Sequence, residues 1–372
     1  MYLVKNVGVF RAPIGFRMFR SCVTLVWLVV CGACDRLSLD PVTVAQPDRP
    51  VATIAFGSCN DAFADQPLWT PIAAATPDVF IWTGDIVYAD VAAVPPVRGA
   101  VRFRIPLPRV PFAADLRAQY AVQKSYEPYA QLRRNVRIIG IYDDHDYGEN
   151  NAGREFGLRD ASQRALLDFL DETPKSPRRR RPGAYAAYNF ETPAGLLRII
   201  LLDTRYHREA PDPEGRRPDG ADILGPAQWT WLADQLRDSP ARLHWIVSSI
   251  QVVPEEHPYE SWARYPVARI RLIDLLKRTR PSGLVLISGD RHLAEISRLR
   301  TPSGLDLIEV TASGMTHSVP PNWTEPNRYR QGELFAGLNF GVGRFTADGM
   351  ILEIRDQAGR VVLSAPPVAV RD

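Results

Sequence analysis

Seven side chains in four short stretches carry the chemistry most easily read from this chain: Cys59, Asp85 with Tyr88, Asp144 with His145, and Asp290 with His292. Each stretch follows an apolar run. Two share one local form, an apolar run, Gly, Asp, and then a second polar group: Gly84-Asp85-Ile86-Val87-Tyr88 and Gly289-Asp290-Arg291-His292. A single Gly-Asp turn is a common structural cap. Cys, Asp, Tyr and His delivered together by several strand ends have the composition of a metal site. A helical turn after Asp85 would carry Tyr88 to the same spot. An extended segment through Asp290-Arg291-His292 would set its Asp and His on one face by the two-residue period.

The donors divide by chemistry. A thiolate from Cys59, a phenolate from Tyr88 and the His292 imidazole suit a Lewis-acidic transition metal. Tyrosine, with an ordinary pKa of about 10, loses its proton only beside concentrated positive charge, which points to Fe³⁺. Asp144, Asp290 and a bridging Asp85 form an all-oxygen set for a hard cation, Ca²⁺, Mg²⁺ or Mn²⁺. Two cations sharing a carboxylate, about 3.5–4 Å apart, polarise a phosphoryl oxygen and activate hydroxide for in-line attack. His145 would stand beside that pair and give a proton or hydrogen bond to the leaving oxygen. Arg205 reads either as a phosphate clamp or as half of a buried ion pair. Asn150 and Asn151 either lend an amide oxygen or shape a turn, and Asp143 is a supporting or substrate-facing group. His207, His244, His257 and His317 are expected to be structural or surface groups, with His317 at the rim of the pocket.

Positioning these groups requires strands that end at one place. Val51 to Phe56, the run through Val79 to Thr83, Val136 to Tyr142, Leu197 to Leu202, Trp245 to Ile250 and Leu284 to Ser288 read as strands. Helices are expected between them, including one continuous segment over 113–133 and another over 156–171. Residues 91–112 read as an irregular excursion, and Arg178-Arg179-Arg180-Arg181 as a solvated loop. Strand-helix alternation giving way to a run of strands predicts an α/β fold of two mixed sheets packed face to face, with helices outside. No composition break interrupts 51–372, which is read as one domain.

Composition narrows the partners. Of 372 residues, 45% are hydrophobic and 23% charged, enough apolar material for a sizeable core. The formal charge of +3 misleads: Lys5, Arg11, Arg17 and Arg20 lie in an acid-free stretch at 1–34, so the remainder carries −1. A near-neutral body excludes a nucleic-acid partner that depends on phosphate neutralisation. Basic residues before the apolar run Val23 to Val30, then Gly32-Ala33-Cys34, have the form of an export signal, with Cys34 placed as a lipoprotein acylation site. Met18 is a second candidate start, and an uncleaved leader would be a membrane tether. Residues 35–50 read as a polar linker. Cys22, Cys31 and Cys34 belong to the leader. Cys59 is therefore the only cysteine of the body, with no disulfide partner there.

Taken jointly, Gly57-Ser58-Cys59, Gly84-Asp85-x-x-Tyr88, Asp143-Asp144-His145-Asp146 with Asn150-Asn151, Leu202-Asp203-Thr204-Arg205 and Gly289-Asp290-x-His292 resemble the PhoD-type alkaline phosphatases. That family lies in the metallophosphoesterase superfamily, which also holds purple acid phosphatases. The resemblance runs from about Ala52 to Phe345. It implies a four-layer αββα sandwich and an exported enzyme of the periplasm or cell envelope that hydrolyses phosphate esters. It also implies Fe³⁺ on Cys59, Asp85, Tyr88 and His292, and Ca²⁺ on Asp85, Asp144 and Asp290. The chain departs from the pattern in lacking a twin-arginine leader and an additional N-terminal β domain. It also has Ser248, Ser249 and Gln251 where the superfamily carries a histidine. A phospholipid or teichoic-acid diesterase, and a calcium-binding surface protein without catalysis, are the alternative readings.

Overall fold

Short runs rich in β-branched residues become strands here, and the longer amphipathic stretches between them become helices. The structure, a computed structural model, describes residues 49–90, 112–211 and 217–369, all within the unit Leu39–Asp372. The leader, the tether up to residue 48 and the excursion over 91–111 lie outside the described residues. In chain order the first elements are β1 (Thr53–Gly57), α1 (Trp69–Ala74), β2 (Val79–Thr83), α2 (Phe112–Ser125), α3 (Glu127–Asn135), β3 (Arg137–Ile141), α4 (Asp144–Tyr147) and α5 (Arg159–Phe169). They are followed by β4 (Ala186–Thr192), β5 (Gly195–Leu201), α6 (Gly225–Leu236), β6 (Leu243–Val247), α7 (Pro266–Thr279) and β7 (Leu284–Ser288). A run of strands closes the chain: β8 (Ala294–Arg300), β9 (Asp306–Ala312), β10 (Asn339–Thr346), β11 (Gly349–Asp356), β12 (Val361–Ser364) and β13 (Val368–Ala369).

These strands form two mixed sheets. The first has the order β12-β11-β10-β1-β2-β3, with β1, β2 and β3 parallel, the rest antiparallel, and β13 paired to β11. The second has the order β4-β5-β6-β7-β9-β8, four parallel strands flanked by antiparallel edges.

The two-residue period of the strands then builds the layers. In β6, Trp245 and Val247 join the core between the sheets, whereas Ile246 joins the outer core with residues of α6 and α7. β7 splits the same way, Val285 and Ile287 inward and Leu286 outward. The Trp245 ring meets Phe56 edge-on at 5.9 Å and Phe345 at 5.6 Å. A side chain at Gly343 in β10 would run into that indole, its Cβ 2.4 Å from a ring carbon, so glycine sets the sheet spacing. On the far side of the first sheet, Trp69 of α1 and Tyr129 of α3 pack on Phe80 and Trp82 of β2, with centroids 4.8 to 5.8 Å apart. The result is the expected helix-sheet-sheet-helix sandwich.

Two expectations need correction. The segment over 113–133 is two helices, broken at the extended Tyr126, because Pro128 has no N–H for a continuous helix and takes an N-terminal position in α3 instead. The arginine run is not a solvated loop throughout. Arg178 is fully buried and bonds the carbonyls of Gly140 (2.9 Å) and Ala184 (2.8 Å), Glu172 (3.0 Å) and the Tyr188 hydroxyl (3.0 Å). Arg181 lies over the Tyr185 ring at 3.8 Å. Among the described residues no helix is long and apolar enough to cross a membrane.

Candidate metal centre

Parallel strands present their carboxyl ends to one crevice, and the chemistry sits there. Cys59 follows β1, Asp85 follows β2, and Asp143 to His145 follow β3. Arg205 follows β5, Ser249 follows β6, and Asp290 and His292 follow β7. The ends approach closely. At Gly84 (φ 117°) a Cβ would lie 2.6 Å from that of Asp143, and at Gly289 one would lie 2.5 Å from the Ser58 hydroxyl. Left-handed backbone, uncommon outside glycine, recurs at Cys59 (φ 61°), Asp85 (44°), Asp290 (68°) and His292 (55°). Asp290 and His292 therefore do not share a face of an extended strand. They are brought together by a tight turn in which Arg291 N bonds Gly289 O at 2.9 Å, and Ser313 Oγ accepts from His292 N at 2.8 Å.

The donors converge as two groups that share one carboxylate. Cys59, Asp85 and His292 each place a donor atom within 4.8 Å of the others, and so do Asp85, Asp143, Asp144 and Asp290. Asp85 Oδ2 lies 3.4 Å from Cys59 Sγ and 3.3 Å from Tyr88 Oη, which in turn lies 3.1 Å from His292 Nε2. His145 forms a further group with Asp85 and Asp144. Beside these residues opens a cleft of about 630 Å³, lined among others by His145, Asn150, Asn151, Tyr259, Asp290 and His292.

A family model described as PhoD-like phosphatase matches residues 54–331. The chain belongs to that family. Alkaline phosphatase D of Bacillus subtilis (strain 168) is 26% identical over 224 residues, half of this chain and 36% of that protein, so the match spans about a third of the relative's length. A solved structure of PhoD superposes with a TM-score of 0.64 at 19% identity, covering 87% of this chain and 74% of that one. A purple acid phosphatase from yellow lupin (Lupinus luteus) seeds gives 0.58 at 13% identity, covering 86% and 54%. These superpositions show a shared fold.

Whether this PhoD-like chain is built to hold cations can be judged from its own atoms. Buried carboxylates packed together repel one another and are paired with cationic groups or metal-bound in proteins. Burial, then the neighbouring Cys59, Asp144 and Asp143, push the Asp85 carboxyl well above the usual carboxylate range, and His145 opposes the shift. Burial and the charges of Asp143, Asp144 and Glu260 do the same to Asp290. Asp85 Oδ1 is buried with no hydrogen-bond partner among the described residues. Burial pushes the Cys59 thiol up to about 11. A soft-and-aromatic group and an all-oxygen group, the latter with Asp143 paired to Arg205 and its other acids facing the crevice, fit one transition metal and one hard cation.

The remaining family motifs support that centre. Arg205 is fully buried, with Asp143 at 2.5 Å and Glu260 also in contact, which matches the ion-pair reading rather than a clamp open to substrate. Asp203 fixes the turn before it: its Oδ1 accepts from Arg205 N and Tyr206 N, both at 2.9 Å. Ser249, just after β6, donates to Asp143 Oδ1 at 2.5 Å. Asn150 and Asn151 touch acids through their backbone, Asn150 N to Asp90 (3.1 Å) and Asn151 N to Asp144 (2.7 Å), and both residues line the cleft.

Sequence reasoning passed over several residues. Asp90, two positions after Tyr88, holds His145 Nδ1 with both oxygens at 2.8 and 2.9 Å. Glu260 links Arg205 to Arg208. His317, expected at the rim, reaches Tyr88 Oη at 3.0 Å. Its signal was the block Thr311-Ala312-Ser313-Gly314 after a strand, the same device that marks the other donors. His244 is a satisfied structural group, bonded to Ser282 O and Ser239 Oγ at 2.8 Å each.

Proposed function

We propose that this chain hydrolyses phosphate esters at a two-cation centre, with Fe³⁺ on Cys59, Asp85, Tyr88 and His292 and Ca²⁺ on Asp85, Asp144 and Asp290. The observation that carries the reading is the shared Asp85, which joins a thiol-imidazole donor group to an all-carboxylate one. Cations bound there would polarise phosphoryl oxygens and make water a competent nucleophile near neutral pH. The chain supplies the rest. Arg205 and Ser249 hold Asp143 and keep the acid cluster in place. With Nδ1 of His145 engaged by Asp90, Nε2 is the nitrogen left to protonate the departing alkoxide, and the ring lines the cleft where the ester lies. Residues 1–34 supply export and Cys34 a lipid anchor in this reading.

The test is direct. Full-length protein prepared without chelator should contain iron and calcium by elemental analysis. It should hydrolyse p-nitrophenyl phosphate or its bis-ester, and lose that activity on chelation. Asp85→Asn should lower kcat by about a thousandfold or more with the circular dichroism unchanged, since both cations lose a common ligand. Undiminished turnover by that variant overturns the site. Fractionation of cells expressing the wild type and Cys34→Ala tests the envelope assignment; equal release of both into the soluble fraction rejects the anchor.

A further inference from the structure

The cleft beside the metal centre is larger than hydrolysis alone requires. Its volume of about 630 Å³ falls in the range of ~300–1,000 Å³ that encloses a drug-sized molecule, and a phosphoryl group fills a small part of that. Besides His145, Asp290 and His292, its lining includes two aromatic residues, Tyr259 and Trp323, with ring centroids 6.0 Å apart and planes tilted by 43°. Tyr259 is 40% exposed and Trp323 is half-buried. Large apolar groups scattered singly over a surface mean little. Two rings side by side in the cleft that holds the reacting groups form a surface for a ligand.

One buried acid holds both rings. Glu325 Oε2 accepts from Trp323 Nε1 at 3.1 Å and from Arg291 Nη2 at 2.5 Å, and the Arg291 guanidinium lies over the Tyr259 ring at 4.2 Å. Both members of that ion pair are buried. The same parts are tied to the metal centre. Arg291 stands between Asp290 and His292 in the turn after β7, and Val319 N, four residues before Trp323, bonds His292 O at 2.8 Å. Glu260, next to Tyr259, pairs with Arg205, the arginine that holds Asp143. The rings are therefore fixed with respect to the donor groups before a ligand arrives, which lowers the entropy lost on binding.

We propose that Tyr259 and Trp323 form a platform for a flat, unsaturated ring carried by the alcohol of the ester, so that the centre takes nucleoside or arylalkyl phosphates in preference to ring-free ones. Such a ring gains from stacked or edge-on contact with an aromatic side chain, a gain that an alkyl or sugar group does not match. The proposal rests on the phosphatase reading above and adds the class of ester.

The experiment assays full-length protein, prepared without chelator, on two pairs of monoesters with leaving alkoxides of similar basicity. The pairs are adenosine 5′-monophosphate against ribose 5-phosphate, and benzyl against methyl phosphate. The wild type should favour the ring-bearing member of at least one pair by about tenfold or more in kcat/KM, the size expected of one stacked ring. Tyr259→Leu and Trp323→Leu should each cut that ratio severalfold, mainly by raising KM for the ring-bearing ester. Tyr259→Phe, which keeps the ring, should preserve it. The first pair sets the ring one sugar away from phosphorus and the second sets it close by, so the pair that responds tells nucleoside from arylalkyl esters. Ratios near one in both pairs, or leucine variants that slow all esters alike, overturn the platform while the phosphatase reading stands. If neither these esters nor p-nitrophenyl phosphate is turned over, the phosphatase reading itself fails, and the platform with it.

Discussion

Asp90 and His145 make a pair whose consequence is specific to the leaving group. The carboxylate grips Nδ1 with both oxygens and also takes Asn150 N, so it fixes ring orientation and tautomer together. Proton delivery matters most when the leaving alkoxide is basic. Asp90→Asn should therefore lower kcat about 10- to 100-fold on an alkyl phosphate and much less on p-nitrophenyl phosphate. Equal losses on both esters would mean that Asp90 merely supports the fold. Residue types and strand-end positions were legible in the sequence, since each expected donor follows an apolar run. The backbone that aims them was not, because Cys59, Asp85, Asp290 and His292 adopt angles that side-chain identity alone does not announce. Asp90 was missed for another reason: it follows the marked residues in an irregular segment, where periodicity gives no register.

Among the elements, strands and long helices could be read because burial imposes a period on them. What misled was charge. Four consecutive arginines look solvated, yet Arg178 joins β3 and the turn at Ala184 through their buried carbonyls and β4 through the Tyr188 hydroxyl. It also neutralises Glu172, whose carboxyl is held below its usual range by Arg178 and Tyr188 against the effect of burial. Arg178→Ala strands that acid and two carbonyls, and should cost about 3–5 kcal/mol in urea denaturation. A loss below about 1 kcal/mol would show the network to be dispensable. The Glu127-Pro128 break was written plainly in the chain; the aromatic residues on both sides obscured it by suggesting one continuous stripe. α4 could not be foreseen, being one turn whose cap, Asp143, is also an acid of the site.

For the whole molecule, acid stability turns on His257. The ring is 3% exposed, and neither nitrogen has a hydrogen-bond partner among the described residues. Burial, then the facing charges of Arg291, Arg264 and Arg330, push it down to about 3. A folded-state value below the unfolded one of about 6.5 stabilises the fold fully above that pH, and the benefit is lost as pH falls from 6.5 toward 3, by up to about 1.4 kcal/mol per unit. Urea midpoints measured from pH 7.5 to 4.5 should fall less steeply for His257→Gln than for the wild type; parallel slopes would rule the histidine out. The two-sheet construction has a last consequence. Cys59, Asp85 and Asp144 hang from one sheet and Asp290 and His292 from the other, and beside these residues the sheets meet through the Gly314–Asn339 bridge and the bonds of Met315 N and Thr316 N to the Ser58 and Cys59 carbonyls. Cations bound there would add a rivet through two plates already joined by their common core. Stripping the ions should lower the melting temperature, since a ligand at a hundred times its Kd contributes about 2.7 kcal/mol. Amide exchange should quicken first along the rim nearest the rivet, while the indole-filled far end around Trp245 stays shut.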